Sequence, residues 1–262
     1  MLTVDEVIKI LKQYAPLIEN SSDALLYGKP EQDVSKIVVT FMPTIEVIQQ
    51  AIQSNADLLI CHEGIYYSHQ NNLYRENNII YQRKHRLIVE NDLAIFRLHD
   101  HIHQYRPDGI MQGLIDRLRW QNNLEIHRDT YSLFKVADHS LSDIIQELKQ
   151  KLVLPYVRYI GDLSKPVERI ALMVGFRGNA ANTIPACEVD QADLVIYGEG
   201  PEWETPEYIR DAITIGENKA AIIIGHLESE ESGMKYISEL LRTHISSTSI
   251  TYQANKRCIS FA

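Results

Sequence analysis

The sequence predicts an α/β fold of two similar lobes related by internal duplication. Three observations predict it. Short apolar runs bounded by glycine, too short for buried helices, are the pattern of strands buried on both faces of a parallel sheet. One such run, Ala56-Asp57-Leu58-Leu59-Ile60-Cys61-His62-Glu63-Gly64, is echoed position for position by Ala192-Asp193-Leu194-Val195-Ile196-Tyr197-Gly198-Glu199-Gly200. The echo extends upstream, where residues 35–41 match 168–174, and downstream, where 93–99 match 220–226. Both downstream runs end on a histidine, His99 and His226, and four residues beyond each lies another ionisable group, His103 and Glu230. Self-similarity of this kind marks repeated units.

The elements follow in order. Thr3-Val4-Asp5-Glu6 has the form of a capping box. It opens a helix whose Val4, Val7, Ile8 and Leu11 share one face, and Pro16 lies just past its end. Residues 20–35 read as a loop punctuated by Gly28 and Pro30. Residues 37–41 form the first buried strand. Pro43-Thr44 then leads into a helix with Ile45, Val47, Ile48 and Ile52, and the next strand ends at Cys61. The crossover of such a unit is right-handed. After a polar stretch rich in Asn, Gln and Tyr, residues 79–91 form a helix with a solvated basic side of Arg83, Lys84 and Arg86. The strand ending at His99 is followed by His101, His103 and Pro107-Asp108-Gly109. A helix with Ile110, Leu114 and Leu118 on one face closes a first lobe of residues 1–123.

Residues 124–163 differ from both copies. They read as strand (131–136), helix (141–152, N-capped by Ser140 with Asp143 three residues on) and strand (156–160). That is too little for an independent core, so the segment is taken as a connection. Residues 164–262 repeat the first lobe, with an amphipathic helix over 234–241 and a tail whose 249–252 and 258–261 pair as a closing hairpin. The chain has no low-complexity linker, which predicts lobes packed as one rigid unit.

Composition excludes several classes. At 262 residues and 45% hydrophobic content the chain builds a sizeable core. A net charge of -9 argues against general nucleic-acid binding, which leaves a basic footprint. No apolar run approaches a membrane span, and the amino terminus has no signal-peptide pattern. Three scattered cysteines, Cys61, Cys187 and Cys258, suit a reducing compartment. The expectation is a cytoplasmic protein without a membrane partner.

His62, His99, His101, His103 and His226 make up half of the ten histidines, and all lie at or just past predicted strand ends. Open α/β sheets place ligands beyond those carboxyl ends. A single histidine there is ordinarily a satisfied core residue; several converging from separate strands, with a carboxylate beside them, read as metal ligands. Imidazoles with one or two carboxylates suit zinc, iron, manganese, nickel or cobalt. Cys61 is either a soft donor or a small hydrophobe. No His-Glu-x-x-His motif is present. The lobes are thus expected to share one metal site.

This arrangement resembles the GTP cyclohydrolase 1 type 2 homologue family, the Nif-three-like proteins with a dinuclear metal centre. The family pattern is a strand ending in His-His, a second ending in His-x-x-x-Asp, and a late Gly-His-x-x-x-Glu. Here Cys61-His62, His99-x-x-x-His103 and Gly225-His226-Leu227-Glu228-Ser229-Glu230 stand at those places, Gly198-Glu199 matches a Gly-Glu segment, and 175–178 a Gly-rich turn. The similarity covers nearly the whole chain. It implies two divalent transition-metal ions (zinc, iron or manganese) per chain. His62, His103 and Glu230 would hold one, and Cys61, His226 and Glu230 the other. Cys61 stands where the family has His, and His103 where it has Asp. A Cys61 thiolate would offset the lost carboxylate and favour zinc; the alternative is a site reduced to one metal. The resemblance also implies a hexameric homo-oligomer and hydrolytic opening of the guanine ring of GTP.

Two functions are expected. One is a metal-dependent hydrolase of a nucleotide or other small polar substrate, with His99 and Glu199 as the catalytic, proton-moving candidates. The other is a non-catalytic metal-binding regulatory or scaffold protein, toward which the departures from the ligand pattern point. No Walker-type phosphate loop is visible. Arg97 and Arg177 read as surface ion pairs or phosphate contacts.

Overall fold

Thr3 opens the first helix, α1 (Val4–Lys12), through the expected capping box: its hydroxyl accepts from Glu6 N, and the Glu6 carboxylate accepts from Thr3 N at 2.8 Å. The computed structural model describes residues 2–69 and 78–260. The chain forms two units, one of Met1–Ile110 with Gly233–Ala262, the other of Met111–Ser232. In the first unit α1 is followed by β1 (Ala24–Tyr27), β2 (Lys36–Thr40), α2 (Ile45–Gln53), β3 (Leu58–Cys61), α3 (Ile79–Glu90), β4 (Ala94–Arg97) and the single turn α4 (Asp100–His103). The chain passes into the second unit within α5 (Gly109–Leu118). There it forms β5 (Leu124–His127), β6 (Ser132–Ser140), α6 (Leu141–Leu152), β7 (Arg158–Ile160), β8 (Pro166–Leu172), α7 (Ala180–Glu188), β9 (Leu194–Tyr197), α8 (Thr205–Thr214) and β10 (Ala220–Ile223). It returns within α9 (His226–His244) and adds β11 (Ser249–Tyr252).

In the first unit the strands form one sheet in the order β1-β4-β3-β2-β11, parallel except for β1. β3 and β4 are buried along their whole length, as a central strand with both faces covered must be. In the second unit the order is β5-β6-β8-β9-β10-β7, with β8, β9 and β10 parallel and the outer strands antiparallel. The α/β prediction therefore holds in both units.

The likeness between the two parallel ladders is visible in their frames. Leu58 pairs with Ile37 and Ala94, and Leu194 pairs with Ile170 and Ala220. One aspartate pins each ladder. Asp57 Oδ2 accepts from Ser35 N and Lys36 N at 2.8 and 2.9 Å, and Asp193 Oδ2 from Glu168 N and Arg169 N at 3.0 and 2.9 Å. The frame also corrects one detail. Arg97 lies opposite Cys61, and Ile223 opposite Tyr197. Counted from there, His226 corresponds to Asp100 and Gly225 to His99, one residue off the pairing of His99 with His226 read from the sequence.

Other expectations change too. The segment read as a connection supplies β5, β6 and β7 to the six-stranded sheet, with α6 capped by Ser140 and Asp143 as expected. The tail forms no hairpin: β11 runs parallel to β2, Ile250 beside Ile37, and 253–260 carries no strand. Ile250 is buried there, so closing the open edge of β2 also covers an apolar side chain. Phe261 lies outside the described residues. The last helix begins at His226 rather than near 234. No helix among the described residues is long and apolar enough to cross a membrane.

Lys84 departs from the expected solvated face of α3. It is buried, donates to Ile65 O at 2.6 Å and lies 5.0 Å from the centre of the Tyr67 ring. Burial pushes its ammonium down to about 8. A cation depressed in the folded state costs stability wherever it is charged in both states, so the penalty is full below about pH 8 and fades toward the unfolded value. Each unit of depression is worth ~1.4 kcal/mol. Wild-type protein should therefore gain stability relative to Lys84→Met between pH 8 and 10, as read by urea unfolding. Parallel pH profiles would refute the buried charge.

Candidate metal centre

Strand ends and one short turn build the first group. The β4 ladder continues past Arg97 through Leu98 N, which donates to Cys61 O at 2.8 Å. The chain then turns into α4, whose first N–H groups have no partner inside the helix. Asp23, from the loop before β1, supplies one. Its carboxylate accepts from the N–H groups of His99, Asp100 and His101 at 2.7, 2.7 and 3.1 Å. It also accepts from His101 Nδ1 at 2.7 Å, which fixes that ring against Asp23. His101, one of the strand-end histidines, is thereby used in holding the turn.

The turn brings His99 and His103 beside His62. The rings of His62 and His99 stack with centroids 4.5 Å apart, and His103 stands edge-on to both at 5.1 and 5.2 Å. One ligand atom from each of the three lies within 4.8 Å of the others. Two nitrogens on one zinc or similar ion stand no more than about 4.2 Å apart, twice the usual bond length. Small ring adjustments would bring the group to that spacing.

The tautomers favour coordination. His62 Nδ1 donates to Leu98 O at 2.9 Å, His99 Nδ1 to Asp100 Oδ1 at 2.9 Å, and His103 Nδ1 to Asp108 Oδ2 at 2.9 Å. With the proton held at Nδ1, Nε2 is the basic nitrogen of each neutral ring. Metal-bound histidines show this outer hydrogen bond almost without exception. The acceptors are themselves fixed. Asp100 Oδ2 accepts from Ser22 N at 2.6 Å, and Asp108 Oδ1 from Ile110 N at 2.9 Å at the start of α5. Burial, and then the repulsion of His62 and His103, push His99 down to about 4 in spite of Asp100. The ring is neutral at pH 7, the form a metal requires. The hydrogen bond from His99 holds Asp100 well below the usual carboxylate range.

Arg97, read from sequence as a surface residue, is fully buried beneath this group. Its Nε donates to His62 O at 3.1 Å, and its Nη1 to His69 O at 2.7 Å. Cys61 lies elsewhere. Its side chain packs with Val38, Ile48, Leu59 and Ile95, and burial pushes its thiol up to about 12, so the proton stays on sulfur near neutrality. A metal there would need the thiolate.

The second unit carries its own donor group. Because α9 starts at His226, His226 and Glu230 share one face a turn apart, with His226 Nε2 3.0 Å from Glu230 Oε2. Glu199, just past β9, stands 2.8 Å from His226 Nδ1. Glu199 therefore orients the ring, and the nitrogen beside Glu230 is the one left to bind. Gly175 makes room for this carboxylate: with φ +56°, a Cβ there would fall 2.1 Å from Glu230 Oε1.

Sequence reading named His62, His99, His103, His226, Glu230 and Glu199, and the structure places the first three in one group and the last three in the other. The reading missed Asp23, Asp100, Asp108 and His69. A carboxylate beside or five residues after a candidate ligand was the available signal for Asp100 and Asp108. His69 follows His62 in a polar loop with no periodicity to mark it.

The family model described as Duf34/NIF3 (NGG1p interacting factor 3) matches residues 2–257. A Clostridium perfringens protein named GTP cyclohydrolase 1 type 2 homolog is 22% identical over 261 residues, covering 94% of each chain. A Bacillus cereus protein related to NIF3 superposes with a TM-score of 0.80 at 13% identity, covering 100% of this chain and 99% of that one. A hypothetical protein from Staphylococcus aureus gives 0.75 at 18% identity, covering 99% of both.

Gly175 yields a direct test. Gly175→Ala places a side chain in the left-handed region and against the Glu230 carboxylate. It should cost ~1–3 kcal/mol in chemical denaturation. An unchanged midpoint would contradict the close approach.

Proposed function

The chain belongs to the DUF34/NIF3 family, and from that premise we propose a metal-dependent hydrolase of a nucleotide or other small polar substrate, with a divalent transition metal held by His62, His99 and His103. The observation that carries the reading is the common Nδ1 anchoring of three clustered imidazoles. All-imidazole donors suit zinc or iron, and manganese less well for want of a carboxylate. A divalent ion bound there would supply Lewis acidity toward a carbonyl or phosphoryl oxygen. The chain's own contribution is orientation. Leu98 O, Asp100 and Asp108 keep the Nδ1 protons in place, and Asp23 holds the backbone that carries two of the rings.

In this reading His99, expected from sequence to move protons, is a ligand. Glu199 positions His226 instead of acting on substrate. Cys61 is part of the core. His226 Nε2 with Glu230 is a second donor pair of the kind that binds transition metals, and filling it as well gives two ions per chain. The relatives' name makes GTP the first substrate to offer.

Metal content decides the matter. Untagged protein purified with metal present should carry at least one equivalent of zinc, iron or manganese by mass spectrometry, and His62→Ala should lose one. Asp108→Ala, which removes the partner of His103 Nδ1 together with the acceptor of Ile110 N, should bind 10–100-fold more weakly, about the usual cost of losing an outer hydrogen bond. A metal-free parent, or full loading of His62→Ala, would sink the proposal.

A further inference from the structure

We propose that His69 is a hydrogen-bond donor that recognises an acceptor oxygen of a small anionic ligand seated at the histidine group. The inference rests on the metal reading above, and the tautomer of His69 carries it. Arg97 Nη2 lies 3.1 Å from His69 Nδ1. A guanidinium only donates, so this Nδ1 is the acceptor, and the neutral ring carries its proton on Nε2. The three neighbouring histidines have the opposite arrangement, with Nδ1 donating outward and Nε2 basic. His69 is thus the one ring of this group of four whose Nε2 is a donor.

Its place fits the role. His69 stands edge-on to His99, with ring centroids 4.8 Å apart and planes at 80°. One of its ring nitrogens lies within 4.8 Å of a nitrogen of His99 and an oxygen of Asp100. The side chain is exposed, whereas His62 is buried, so a ligand reaches it from solvent. The blander role is to anchor the loop on Arg97. The backbone already does that, because His69 O accepts from Arg97 Nη1 at 2.7 Å. What the ring contact adds is the choice of tautomer. Arg97 cannot yield that position: it is fully buried and is also held by His62 O at 3.1 Å. A fixed N–H beside a bound cation is complementary to an oxyanion, whose one oxygen meets the metal while another accepts from His69.

Two measurements test this. In metal-free protein, long-range proton–nitrogen NMR should show His69 protonated at Nε2 and His62, His99 and His103 at Nδ1. In cobalt-loaded protein, visible absorption titrated with inorganic phosphate gives the ligand affinity. His69→Ala should keep the cobalt content of the parent and weaken phosphate about tenfold or more, the usual worth of a hydrogen bond to a charged group. His69→Gln, whose amide keeps an N–H, should recover most of that loss. Protonation of His69 at Nδ1, a parent that shows no phosphate response, or a phosphate affinity indifferent to His69→Ala in cobalt-loaded protein would overturn this inference alone. A parent that takes up no cobalt would overturn the metal reading and this inference with it.

Discussion

Three oxygen acceptors, Leu98 O, Asp100 and Asp108, hold the Nδ1 protons of His62, His99 and His103. Much of the chemistry of the first unit depends on that constraint. An exposed imidazole exchanges tautomers and rotates; a ring tied at one nitrogen presents the other in a fixed direction. Clustering three such rings costs solvation, and that burial is the main cause that lowers His99. His99 stays neutral because burial disfavours its charged form and because positive charge on His62 or His103 would repel it.

Behind the rings lies a supporting layer of buried charge. Asp23 satisfies the first N–H groups of the α4 turn and so fixes the spacing between His99 and His103. Arg97, at the end of β4, ties the backbone of His62 to that of His69. Neither residue belongs to the group it serves. A buried arginine is tolerated only where its donors are met, and here carbonyls and a ring nitrogen meet several of them. The second unit solves a similar problem with different parts: Glu199 fixes His226, and a glycine in left-handed geometry lets Glu230 approach the turn after β8.

The strands were legible because a central parallel strand must be apolar on both faces, and Leu58, Leu59 and Ile60 or Leu194, Val195 and Ile196 leave little choice. The recurrence of Asp before each of those strands was legible too, and its reason is now plain: Asp57 and Asp193 accept from the neighbouring strand's first amides. The side of the sheet on which Cys61 falls was open to the same kind of reasoning. Side chains alternate along a strand, so Cys61 shares a face with Leu59, in the apolar cluster with Val38 and Ile95. What sequence could not give was long-range. Nothing local announces that Asp23 caps a turn 76 residues away or that Arg97 is buried. The places of the edge strands β5, β7 and β11 were not legible for a related reason: each is only three or four residues long, and only the sheet it joins shows where it belongs.

The central claim is that these three histidines form a metal site through their Nε2 atoms. Anomalous diffraction from crystals of metal-replete protein, collected on both sides of the absorption edge of the bound element, tests it most directly. The account predicts a peak bonded to Nε2 of His62, His99 and His103, with the three Nδ1 hydrogen bonds intact. Metal-replete crystals with no peak there, or a peak reached through Nδ1 after the rings have left Leu98, Asp100 and Asp108, would contradict it.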